Sequence, residues 1–196
     1  IQAEGALLLA LDVTDDASMS VGVAAVLQAQ GRIDALVNNA GYGSYGAVED
    51  VPIAEARRQF EVNVFGTWNL TKMAMPLLRE SQAAGGGHVV NVTSIAGVRP
   101  VGSSIAYSMS KAALNQMTRL LAKSHGPVRV NAVAPGLVAT PWTSDWDAQH
   151  EGVKRMAPLK RSATPDDCAE AVLALVRNHY VTGEIFVVDG GLTQLS

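Results

Sequence analysis

Residues 87–94 read "GHVVNVTS": a glycine, a valine-rich run broken by one asparagine, then two hydroxyl side chains. A short apolar run of this length, entered through glycine and left through polar residues, is the pattern of a strand buried on both faces. The pattern recurs in "ALLLAL" (6–11), "IDALVN" (33–38), "VRVNAVAP" (128–135) and "EIFVVDGG" (184–191). Between these runs lie longer stretches with helical spacing. "DDASMSVGVAAVLQAQG" (15–31) ends on a glycine, residues 52 to about 80 start with Pro52 near a first turn, 104–124 follow, and Pro165 opens 165–178. Apolar strands alternating with helices predict an α/β chain: a doubly wound, Rossmann-like parallel sheet in three α/β/α layers, one domain over 1–196. The stretch 136–160, rich in Trp, Asp and Pro, is long for a connection and reads as a substrate lid loop.

Composition narrows the function. The chain has 196 residues, 48% hydrophobic and 17% charged, enough apolar material for a sizeable core. A net charge of −3 leaves no electrostatic footprint for nucleic acid or for an anionic membrane. The longest apolar run, Ala6 to Leu11, is too short to span a bilayer. The single cysteine, Cys168, cannot form an internal disulfide, which fits a reducing, cytoplasmic setting. His88, His125, His150 and His179 are scattered without ligand spacing, so no metal is expected.

In doubly wound sheets, ligands bind beyond the carboxyl ends of the strands, and the unusual residues fall there. "NNAGYG" (38–43) follows the strand at 33–38, Ser94 with "IAG" follows the strand at 87–94, and "PGLVAT" (135–140) follows the strand at 128–134. One loop after Ser94, "YSMSK" (107–111) opens a helix with a tyrosine and a lysine four residues apart, hence on one face. A free phenol titrates near ~10, and an ammonium one turn away favours the phenolate and lowers that value. Such a tyrosine serves as acid to a carbonyl oxygen or as base to an alcohol, and Ser94 supplies a second hydrogen bond. No side chain here supplies a hydride; a nicotinamide does. Each residue also has a plainer reading. Ser94 suits a strand end, Asn38 and Asn39 suit turns, Thr140 suits a loop cap, Tyr107 suits packing, and Asn63 and Lys111 suit a solvated surface. Trp142 and Trp146 either cover substrate or anchor their loop.

Taken together and in order, "NNAG", "NVFG" (63–66), "VNVTSIAG", "YSMSK" and "NAVAPGLVATP" resemble the short-chain dehydrogenase/reductase family in its compact single-domain branch, over almost the whole chain. The resemblance implies an NAD- or NADP-dependent oxidoreductase acting on a small-molecule carbonyl/alcohol pair. It implies Tyr107 as proton donor and acceptor, Lys111 on the nicotinamide ribose and tuning Tyr107, and Ser94 orienting the carbonyl. Asn63 would support a water linking Lys111 to solvent. Asp12 and Val13 would lie at the adenine, and Asn39, Ala40 and Gly41 on the adenosine ribose side. Pro135, Gly136, Val138 and Thr140 would border the nicotinamide. A homotetramer or homodimer is expected on the same ground.

One part of the family pattern is not in these residues: the glycine-rich phosphate turn and the first two strands, roughly 50 residues. The expectation is that they precede "IQAEG", which reads as the tail of the helix before the family's third strand, and that the strand at 6–11 stands without its parallel neighbours otherwise. The residue that separates NAD from NADP belongs to that segment. A non-catalytic dinucleotide-sensing protein on the same fold is the alternative, though it would more often have lost the Tyr or the Lys. An epimerase or dehydratase of the larger branch is disfavoured, because no C-terminal substrate domain follows the lid.

Overall fold

A computed structural model describes residues 6–101 and 104–194. Four strands form its sheet: β1 (Ala35–Asn38), β2 (His88–Val92), β3 (Arg129–Pro135) and β4 (Ile185–Val188), in the spatial order β1-β2-β3-β4. All three pairings are parallel, and the register sets Asn38 beside Asn91 and Pro135 beside Val188. β-Branched valines dominate the central strands, where both faces are covered, and every residue of β3 is buried. Alternation divides them. Val89 and Val130 pack with Ala74, Met75 and Leu78 on one face, while Val90 and Val133 pack with Ala171 and Leu175 on the other. Each fully buried valine contributes about 1.5–3 kcal/mol of transfer free energy.

The helices that supply these layers are α1 (Asp16–Gln30), α2 (Ile53–Phe60), α3 (Thr67–Arg79), α4 (Ile105–Ser124), α5 (Asp147–Met156) and α6 (Pro165–Arg177). α3 and α4 cover one face of the sheet and α6 the other, so the three layers form as expected. Local signals set the boundaries. Asp15 caps α1 by accepting from Ala17 N–H, and Ser104 caps α4 by accepting from Tyr107 N–H. Thr164 and Asp167 form a capping box with Pro165 in the first turn of α6.

Three expectations change. The strand at 6–11 is not formed: the segment is irregular and exposed, with Leu8 78% accessible. A strand exists only through a paired backbone, and no described strand runs beside it; Leu11 instead rests against α1 at Gly22. "IQAEG" lies outside the described residues. The single helix expected over 52–80 is interrupted by a π-helical turn, Glu61–Gly66, between α2 and α3. The stretch 136–160 is not irregular throughout. A 3-10 turn at Pro141–Thr143 and the whole of α5 lie within it. Its two ends are stapled, because Val138 and Ala163 form an isolated parallel bridge, with Ala139 N–H donating to Ala163 O at 2.8 Å and Ala163 N–H to Leu137 O at 2.9 Å.

Candidate active site

Tyr107 occupies the first turn of α4, where the Ser104 hydroxyl accepts its N–H at 3.1 Å. Its side chain shares the cavity wall with Ser94, which is near enough to lower the pKa of the phenol. Ser94 lies just past the end of β2 and caps a 3-10 turn, Ile95–Gly97, by accepting from Ala96 N–H at 3.1 Å. That bond fixes the serine oxygen and leaves its O–H free to donate. The turn is clamped onto α4. A methyl group at Gly97 would lie 2.5 Å from the Lys111 backbone, and Asn115 Nδ2 donates to Gly97 O at 3.0 Å. Tyr107, Lys111 and Asn115 are spaced by four, so one face of α4 holds the phenol, the ammonium and the Ser94 turn together.

Lys111 is only 5% exposed, and Nζ donates to Val92 O at 3.0 Å. Nζ lies 5.7 Å from the centroid of the Tyr107 ring. Burial pushes the lysine pKa down to about 8. Tyr107 departs from the expected sign. Burial raises its pKa, and the neighbouring Ser94 hydroxyl offsets this only in part. The sequence shows the neighbouring ammonium but not the depth of the cavity, and desolvation of a phenolate outweighs the rest here.

Asn63 sits in the π-helical turn and is fully buried. Nδ2 donates to Tyr42 O at 2.9 Å and to Ser110 Oγ at 3.0 Å, and Oδ1 accepts from Tyr42 N–H at 3.0 Å. It thereby pins the turn after β1 to α4. A side chain at Gly41 would put its first carbon 3.1 Å from Asn63 Oδ1 and 3.4 Å from Lys111 Nζ, so only a glycine leaves that approach open. Behind this turn runs a buried polar chain that the strand reading of "GHVVNVTS" does not show. Asn38 Nδ2 donates to Asn91 Oδ1 at 2.9 Å and to Thr71 Oγ1 at 3.0 Å, and Asn91 Nδ2 donates to Thr118 Oγ1 at 2.9 Å. The chain ties β1 and β2 to α3 and α4.

A cavity of about 980 Å³ opens at the carboxyl ends of the strands. Its wall includes Ser94, Tyr107 and Lys111, and also Asn39, Gly41, Pro135, Gly136, Val138 and Thr140. Asn63, Ala40, Asp12 and Val13 are not in that wall. Asn63 stands behind it through Gly41, and Ala40 is exposed beside it. The Asp12 carboxylate accepts from Thr14 N–H and Oγ1, which lower its pKa, and Val13 packs over Gly66 of the π-helical turn. Thr140 does cap a turn, in a box with Thr143, while still lining the cavity. Trp142 and Trp146 also line it, so they belong to the site whatever else they anchor.

The whole stretch 1–193 matches the family described as Enoyl-(Acyl carrier protein) reductase. A solved structure from Burkholderia xenovorans, described as a short-chain dehydrogenase/reductase, superposes with a TM-score of 0.87 at 37% identity, covering 96% of this chain and 76% of that one. The chain belongs to the short-chain dehydrogenase/reductase family. Within the family, a Streptomyces violaceoruber protein that carries the name of a granaticin polyketide synthase ketoacyl reductase is 47% identical over 197 residues, 95% of this chain and 76% of its own. ElxO with NADP bound, at 26% identity, gives a TM-score of 0.85 over 94% of this chain and 77% of that one. The family's doubly wound parallel sheet is the fold found here, and this chain is one of the family's oxidoreductases.

Proposed function

We propose that the protein interconverts a carbonyl and an alcohol on a small-molecule substrate with NAD or NADP, that Tyr107 carries the proton, and that carbonyl reduction is the direction for which the site is set. The observation that carries this reading is the meeting of Ser94, Tyr107 and Lys111 in one cavity wall, with Lys111 one turn after Tyr107 on the same face of α4.

The residues present fit a dinucleotide. Lys111 is a buried ammonium whose three donors meet one hydrogen bond from the described protein, Gly41 leaves the approach to it open, and the wall from Pro135 to Thr140 is uncharged. Lys111 would hold the nicotinamide ribose, Asn39, Ala40 and Gly41 the adenosine side, Asp12 and Val13 the adenine, and Pro135, Gly136, Val138 and Thr140 the nicotinamide edge. A nicotinamide dinucleotide, when bound, supplies or accepts the hydride.

The chain's own residues manage the proton. Tyr107 Oη donates to the substrate oxygen, and the Ser94 O–H, free because its oxygen already accepts from Ala96, donates to the same atom. A phenol whose pKa burial has raised is fully protonated at neutral pH, so the acid is loaded. As its proton leaves, negative charge grows beside Lys111, which is mostly charged at neutrality with a pKa of about 8. Asn63 keeps the 41–42 turn in place against α4, and a water it supports would return a proton through Lys111. Oxidation needs the phenolate, which the raised pKa makes scarce, so alcohol oxidation should require alkaline pH while reduction does not.

The test is Tyr107→Phe. Ketone reduction should drop about 10²–10⁴-fold with the melting curve unchanged, since one hydroxyl is lost and the ring stays. Near-wild-type reduction in that variant would remove Tyr107 from the chemistry.

A further inference from the structure

We infer that the substrate of this site is an uncharged ketone with its carbonyl on or beside a ring, and that Tyr45, Trp142 and Trp146 form the wall that recognises the ring. The inference rests on the carbonyl/alcohol reading above.

The three aromatic side chains come from two separate segments and meet over the cavity. Tyr45 lies in the turn after β1, whereas Trp142 and Trp146 lie in the stapled excursion after β3. Tyr45 and Trp146 meet edge to face, with centroids 4.8 Å apart and planes at 89°, and Trp142 leans on Trp146 at 5.4 Å and 58°. All three line the cavity that holds Ser94 and Tyr107. Tyr45 feels the Tyr107 phenol closely enough for that charge, after burial, to raise its own pKa. The aromatic wall and the Tyr107 hydroxyl thus face one cavity.

The aromatic surface is incomplete. Tyr45 is 51% and Trp142 55% exposed although both line the cavity. Aromatic groups gain from face and edge contacts beyond the area they bury, and rings held at steep angles form a corner that offers both. A ring entering the corner completes these contacts; a flexible alkyl chain gains area alone and loses rotamer freedom.

Charge sharpens the class. Lys111 is the one basic side chain in the described wall, which holds no Asp, Glu or Arg, and it is already directed at Val92 O. A carboxylate or phosphate on the substrate would be desolvated without a partner. Gln149, on the first turn of α5, is an uncharged polar group in the same wall, suited to a neutral oxygen on the far side of the ring.

The test uses the full chain with NADPH and NADH in turn. Four substrates are compared: 2-decalone, the open-chain 2-decanone of equal carbon count, 4-oxocyclohexanecarboxylate and its methyl ester. The kcat/KM for 2-decalone should exceed that for 2-decanone about tenfold or more, and the ester should exceed its carboxylate about a hundredfold. Trp146→Ala should bring decalone and decanone to within about threefold of each other, mainly through KM, while Trp146→Phe restores most of the preference. Equal rates for decalone and decanone, equal rates for ester and carboxylate, or an unchanged preference in Trp146→Ala would each overturn the inference. Tryptophan fluorescence separates it from the reading beneath. Saturable quenching by 2-decalone with no turnover of any ketone leaves the ring site standing and sinks the carbonyl chemistry. Turnover of 2-decanone with no quenching by 2-decalone does the reverse, and absence of both sinks the two together.

Discussion

Each end of the sheet buries a cation, and the two are treated differently. At the amino ends of the strands, Arg129 is 7% exposed and donates to Leu175 O at 3.0 Å, Val176 O at 3.1 Å, Asn178 O at 2.7 Å and Gly85 O at 3.3 Å. Three of these are the last carbonyls of α6 and its cap, the groups a helix leaves unpaired and a cation best serves. At the carboxyl ends, Lys111 is as deeply buried but has one hydrogen bond from the described protein, and its pKa falls to about 8. A satisfied buried charge holds the fold together. An unsatisfied one is a strain on the fold that makes sense only where something else is to be bound.

The contrast breaks first on paired substitutions. Arg129→Met should destabilise by about 3 kcal/mol, because each buried acceptor left unpaired costs roughly 1–3 kcal/mol and fraying of α6 recovers part of it. Lys111→Met should go the other way and raise stability by about 1–3 kcal/mol at pH 7, while reduction is lost, since a desolvated ammonium is replaced by an apolar chain of similar length. Urea unfolding at pH 7 measures both. Shifts of the same sign in the two variants would end the comparison.

Both ends also leave a mark on the pH dependence of stability. Lys111 binds its proton less well folded, at about 8, than free, at 10.5, so between these values the unfolded chain holds more protons and stability rises with pH. His88, buried beside Arg129, is pushed down from 6.5 to about 4 by burial and by that guanidinium, so stability rises with pH again between about 4 and 6.5. Urea titrations should show two rising limbs of roughly 1–3 kcal/mol each. His88→Gln should flatten the acid limb alone and Lys111→Met the alkaline one alone; a limb that survives its own substitution assigns it to another group.

The smallest expected effect lies in α5. Val153 is the one buried residue of α5. Val153→Ala should speed amide exchange over 147–156 while moving the global unfolding free energy by less than about 1 kcal/mol, because a segment opens locally when few side chains bury it. Exchange over α4 should stay as in the parent protein.

How far these features could be read beforehand follows from where each signal lives. β2 and β3 were legible because a strand covered on both faces must be apolar throughout. That Ser94, Tyr107 and Lys111 share one cavity wall was legible because a strand end and a helix start meet at the carboxyl ends of a doubly wound sheet. α5 was not, because "DAQHEGVKRM" offers one buried position and its placement is decided by tertiary contacts, such as the His150 ring between Ser162 Oγ and Thr143 O. The π-helical turn was hidden because "EVNVFG" reads as ordinary helix. The sign of the Tyr107 shift was hidden because burial is not a property of spacing. Asn115 had a signal that went unread: it extends the Tyr107–Lys111 interval by one more turn.

The pairing of Val138 with Ala163 separates two jobs along the chain. What lies between those residues can change in length while β3 and α6 keep their places, because the paired backbones at 137–139 and 163 fix both ends of the excursion. A graft of residues 141–162 from a relative, with Tyr45 and Thr140 kept, should therefore fold on β3 and α6 as they stand here.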